Sequence, residues 1–139
     1  MLHVRIPSWS KNTRWRIVAG HGEAEEGGAA SGEFLRLRRT WRNGDELRLE
    51  FAMSLTIESL PGDECEIAFR FGPTVLAART PHALELGVRS SNAIDAVKIV
   101  DATQLQFSAR LGFGSDVPLV PMNEIAEEPF GVYFKVLPD

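Results

Sequence analysis

Three tryptophans, three histidines and two knots of carboxylates are the residues of this 139-residue chain whose types could do chemistry. Trp9, Trp15 and Trp41 offer flat aromatic faces of the kind that stack on sugar rings. Such side chains also bury roughly 150–250 Å² each and fill or close a β-sandwich core equally well. Trp41 alternates in phase with Leu35 and Leu37 and reads as a core residue; Trp9 follows a strand end and reads as a cap on the sandwich. Core filling is the preferred reading for all three. Trp9 and Trp15 are the candidates for carbohydrate stacking.

The other polar residues carry less. His3, His21 and His82 lie on separate elements, with no two at a ligand-like spacing, so a surface or loop role is expected of each. Asp63, Glu64 and Glu66 cluster in a turn, as do Glu127 and Glu128. A glycosidase holds two carboxyl groups about 5–10 Å apart in a concave site; turn solvation is the simpler account here. No serine stands in a nucleophile elbow, and Gly112-Phe113-Gly114 lacks the strand-to-helix context that phosphate binding requires. Cys65 is the only cysteine, which excludes an internal disulfide and a thiolate-rich metal site. No catalytic, cofactor-binding or metal residue is expected.

A net charge of -4 and a pI near 5.4 argue against a nucleic-acid or anionic-membrane surface. The basic run Arg36, Arg38, Arg39 and Arg42 is offset by Glu33, Asp45, Glu46 and Glu50 and reads as a solvated strand face. No apolar run approaches the ~20 residues of a membrane span. Nor does a basic region followed by an apolar stretch open the chain. A cytoplasmic protein is the expectation. Met1 leads straight into a strand pattern, as in a domain cut from a longer protein.

The elements that must position these residues are short strands. Leu2, Val4 and Ile6 alternate and stop at Pro7; Trp15 and Ile17 alternate in a second run. His21 to Gly32 is glycine, alanine and glutamate and reads as an exposed loop. Leu35, Leu37, Arg39 and Trp41 share one face of a strand, and Leu47, Leu49 and Phe51 a face of the next. Pairing these as a hairpin keeps the faces in phase only with a three-residue loop Asn43-Gly44-Asp45 or a bulge, Trp41 lying opposite Leu47.

Further strands are expected at 55–57, 66–71, 74–78, 97–100, 105–107 and 132–136. Gly72-Pro73 should mark a bend or bulge in an edge strand, and 81–92 a loop with a helical turn. No segment sustains helical periodicity. An antiparallel β-sandwich of about nine short strands, forming one domain over 1–139, is the expected all-β fold.

Several motifs occur in the order of one known family. Arg5-Ile6-Pro7-Ser8-Trp9, the run Arg39-Thr40-Trp41-Arg42-Asn43-Gly44-Asp45, and Met53-Ser54-Leu55 are three of them. Gly72-Pro73-Thr74-Val75-Leu76-Ala77, Leu119-Val120-Pro121 and Val132-Tyr133-Phe134-Lys135-Val136 follow. In these the chain resembles the C-terminal β-sandwich region of β-L-arabinofuranosidase-like hydrolases, glycoside hydrolase family 127. It departs at Ala52, where the family has proline, and at Glu127-Glu128-Pro129-Phe130, where a His-x-x-Arg-Tyr approach is usual.

The resemblance implies that catalysis resides in an (α/α)6 barrel with a glutamate and a cysteine-rich zinc site, to which nothing here corresponds. It therefore implies a non-catalytic accessory domain that packs against and stabilises a catalytic barrel. An apolar packing patch could also support a homo-oligomer. The alternative is an autonomous carbohydrate-binding module with a sugar as ligand.

Overall fold

A computed structural model describes residues 1–20 and 24–139. The chain is all-β, with thirteen strands among the described residues rather than about nine. They fall into two compact units, Met1–Ser54 and Leu55–Asp139.

In the first unit β1 (Leu2–Arg5) pairs antiparallel with β4 (Phe34–Leu37). The buried Ile6 prolongs the ladder: its N–H donates to Glu33 O at 2.8 Å, and Gly32 N–H donates to Ile6 O at 3.1 Å. Pro7 lacks an N–H and ends the ladder, and Ser10 N–H folds back on Pro7 O at 3.2 Å. A second, three-stranded sheet has β2 (Thr13–Val18) at its centre, between β3 (Glu25–Ala29) and β5 (Glu46–Phe51). Thr13 and Ile17 are buried, whereas Arg14 and Arg16 are exposed. That is the period-2 alternation of a half-buried sheet.

Two expectations fail in this unit. β4 and β5 do not form a hairpin: β4 pairs β1 and β5 pairs β2. Asn43-Gly44 does turn the chain, with Gly44 at φ 91°, but within a link between two sheets. Trp41 lies in that link, half-buried, and not on a strand opposite Leu47. The glycine-rich stretch is not all loop either, because Glu25–Ala29 is strand β3. Its side chains give no apolar signal; the open backbone edge of β2 recruits it, over Thr13↔Ala29 to Ile17↔Glu25. His21, expected in that loop, lies outside the described residues.

The second unit is a two-layer sandwich made from one rolled sheet. β6 (Leu55–Leu60), β7 (Asp63–Phe71), β13 (Phe134–Leu137) and β9 (Glu85–Arg89) form one side. β10 (Val97–Asp101), β11 (Gln106–Arg110), β12 (Asp116–Pro121) and β8 (Thr74–Ala78) form the other. β8 joins them, pairing β7 through Thr74 and Val75 and β12 through Leu76 to Ala78. Ile67, Phe69, Leu76, Phe107, Leu119 and Phe134 meet in the core with almost no exposure. Phe71 and Phe107, on strands that do not pair, stack across the layers with centroids 5.1 Å apart.

Here too the structure corrects details. Gly72-Pro73 is the two-residue turn of the β7–β8 hairpin, Phe71 opposite Thr74, with Gly72 at φ 57°. A positive φ at the first turn position is what such tight hairpins require; no edge-strand bulge is involved. The 81–92 stretch holds strand β9 and the start of a 3-10 turn, Ser90–Ala96. β9 runs parallel to β13, so the sandwich is not wholly antiparallel.

Candidate functional site

Trp15 sits at the centre of the three-stranded sheet, opposite Gly27 of β3 and Leu49 of β5. Its ring lies against Gly27, where an added Cβ would come within 3.0 Å of the indole. The indole Nε1–H donates to Gly28 O at 3.2 Å. Gly27 is therefore a glycine because the tryptophan needs its space.

Trp15 also contributes to a cleft of about 600 Å³ with Asn12, Arg14, Arg16, Glu26, Arg48 and Glu50. Arg14 faces Glu50 and Arg16 faces Glu26 across the strands, while Arg48 turns to Glu46 at 2.8 Å. The Arg48 hydrogen bond and charge hold the Glu46 carboxyl below its usual range. Three arginines and two glutamates therefore line the cleft.

Trp9 lies away from any cleft described. It is half-buried, with its ring edge-on to Phe51 at 5.8 Å between centroids. The buried Ser10 and Thr13 hydroxyls bond each other at 2.9 Å beside it in sequence. Arg5-Ile6-Pro7-Ser8-Trp9 is therefore a strand, a buried anchor, a stop and an aromatic seat.

The second tryptophan motif has an equally local account. Arg39 Nη2 meets Asp45 Oδ2 at 3.2 Å, and its guanidinium lies 5.2 Å from the Trp41 ring centroid. Asp45 Oδ2 also accepts Arg42 N–H at 3.0 Å, while Asp45 N–H returns to Arg42 O at 3.1 Å. Glu25 stands 3.5 Å from Arg39. The motif encodes a locked link between β4 and β5, which belong to different sheets.

Asp63, Glu64 and Glu66 lie on strand β7 and not in a turn, with Asp63 at its start. Asp63 Oδ1 accepts Cys65 N–H at 2.9 Å, next to Gly62 at φ 89°. Glu128 accepts Ala126 N–H at 3.1 Å and pairs with Arg79 at 3.0 Å. Those backbone donors, with Arg79 a lesser cause, hold Glu128 below the ordinary carboxylate range. His3 and His82 are exposed and on different units. Among the described residues no three His, Cys, Asp or Glu side chains form a metal-holding group, and no helix is long and apolar enough to cross a membrane.

An all-β sandwich is the class this geometry defines. Residues 1–53 match a family model described as the β-L-arabinofuranosidase, GH127 middle domain. A solved structure, a GH127 β-arabinofuranosidase, shares the fold with a TM-score of 0.57 at 18% sequence identity, over 98% of this chain and 25% of that one. The chain thus spans about a quarter of the length of the structure it matches. No curated protein matches it. The chain resembles the non-barrel part of a GH127 arabinofuranosidase, in sequence over its first 53 residues and in fold throughout.

Proposed function

We propose that the chain is a non-catalytic accessory β-domain that packs against a GH127-type catalytic barrel and stabilises it. One observation carries the reading: a middle-domain match over 1–53 joined to a fold match with a quarter of an arabinofuranosidase. Domains placed beside a barrel contribute buried area rather than chemistry. Exposed Phe34, Phe113, Phe130 and Tyr133 are available for such contact. Taking residues 1–139 as one domain and the cytoplasm as its location belongs to the same reading; the single free Cys65 suits a reducing compartment.

Co-expression with a GH127 barrel tests it. A one-to-one complex that melts above the barrel alone, with arabinofuranoside hydrolysis depending on barrel residues only, is expected. Two species that elute separately at micromolar concentration would overturn it.

A carbohydrate-binding role is the second reading, supported by the cleft beside Trp15. It requires sugar to reach the indole, so arabinose-containing oligosaccharides should change Trp15 fluorescence. An unchanged spectrum in the Trp9→Phe/Trp41→Phe background, where Trp15 alone reports, would remove it.

A further inference from the structure

We propose that a different cleft, in the Leu55–Asp139 unit, binds a short neutral polyhydroxylated ligand of mono- or disaccharide size. Its volume of about 550 Å³ falls in the roughly 300–1,000 Å³ range of small-molecule sites. Three elements converge on it: β9, the 3-10 turn Ser90–Ala96, and the β10–β12 face.

The floor is set by backbone. Gly87 has φ 67°, and a Cβ there would stand 3.0 Å from Gly112 Cα. Gly112 N–H donates to Glu85 O at 2.8 Å and fixes the approach. A left-handed residue inside a strand is unfavourable unless the fold uses it. Here it brings two glycine backbones together, and neither residue puts a side chain into the cleft. β13 is the only ladder partner of the β9 edge strand, so backbone groups of Gly87 and Val88 border the opening.

The walls decide the ligand. Asp95, Asp116, Lys98 and Arg110 all line the cleft, with Arg110 already 3.6 Å from Asp116. Formal charge cancels, so neither an anion nor a cation is favoured. Asn92 and Ser108 add groups that both donate and accept. A hydroxyl also does both, so a run of hydroxyls can satisfy this alternation where an apolar molecule would leave groups unpaired.

The turn carrying Asn92 and Asp95 is held in place. Asp139 Oδ1 accepts Ser91 N–H at 3.0 Å and Ser91 Oγ–H at 2.7 Å. This site depends neither on barrel packing nor on Trp15, which lies on the other unit.

Amide-resolved NMR titration of the full chain tests the assignment, with cellobiose and L-arabinose as neutral probes and glucuronate and glucosamine as charged ones. A neutral probe should shift the amides of Gly87, Val88 and Asn92. The Asn92→Ala/Asp95→Ala variant should bind about tenfold more weakly at an unchanged melting temperature. Arg110→Ala, at an exposed position on the opposite wall, should weaken binding likewise. Silence at high millimolar sugar, shifts only around Trp15, a response only to the charged probes, or unaltered affinity in both variants would each overturn it.

Discussion

Arg39 and Asp45 form the most enclosed ion pair among the described residues of the first unit, 3.2 Å apart with side chains only 16% and 4% exposed. Removing Asp45 leaves the poorly hydrated Arg39 with only the exposed Glu25, at 3.5 Å, as counter-charge. Asp45→Ala should therefore destabilise the chain by about 1–3 kcal/mol, since Arg42 N–H loses its acceptor as well. Thermal denaturation measures this. A melting temperature within a degree of the parent would show the lock to be idle.

Trp41 gives a sharper contrast. Its Nε1–H is buried without a hydrogen-bond partner, so Trp41→Phe keeps an aromatic face for Arg39 and removes an unsatisfied donor. That variant should be neutral or slightly stabilised. Trp41→Ala should cost about 2–3 kcal/mol, less than a fully buried tryptophan would, because the residue is half-buried in a link. Equal losses in both variants would refute the distinction.

Gly87 and Gly114 both have positive φ, 67° and 90°, but only Gly87 faces another backbone. Gly114→Ala should cost about 1 kcal/mol for the left-handed conformation alone. Gly87→Ala should cost visibly more, because a Cβ would press on Gly112. Paired denaturant curves compare the two, and the reverse order would contradict the close approach.

Asp139 is held below the ordinary aspartate range by the Ser91 hydrogen bonds first, with Arg89 a lesser cause. A lowered folded-state value stabilises above the unfolded pKa of about 3.9 and ceases to do so as pH falls through the folded value. The Ser91 amide resonance should thus stay constant down to about pH 4 and move below it. Asp139→Asn should abolish that acid transition. A midpoint above that of a free aspartate would contradict the sign.

Self-association and domain number have direct readouts. Sedimentation at several concentrations should reveal a homo-oligomer through exposed apolar side chains; a strict monomer would dismiss it. If residues 1–139 behave as one domain, calorimetric and van't Hoff enthalpies should agree. Two resolved transitions would assign Met1–Ser54 and Leu55–Asp139 separate stabilities.

Much of the fold was legible in side-chain alternation: Leu2-Val4, Trp15-Ile17 and the 66–71 run read as strands and are strands. The misses share a cause. β3 is recruited by a backbone edge, which no glycine or glutamate advertises. β12 holds Pro118 and Pro121, a strand-breaking pattern by composition; Pro118 lies beyond the stretch that pairs β8, where a missing donor is tolerated.

The hairpin error came from register logic applied to two strands that belong to different sheets. Trp15 and Trp9 were legible as aromatics but not in role, because only the neighbours decide it: Gly27 under one ring, Phe51 at the edge of the other. The cleft by Gly87 was invisible, since residues some twenty-five apart in sequence build it.

β13 is the last strand in chain order, yet it lies between β7 and β9. During synthesis β9 emerges well before its only ladder partner and must wait with an open edge. The Leu55–Asp139 unit therefore gains its cooperativity late, when Phe134 closes onto Ile67. Until then the nascent chain presents a place where any extended strand could dock.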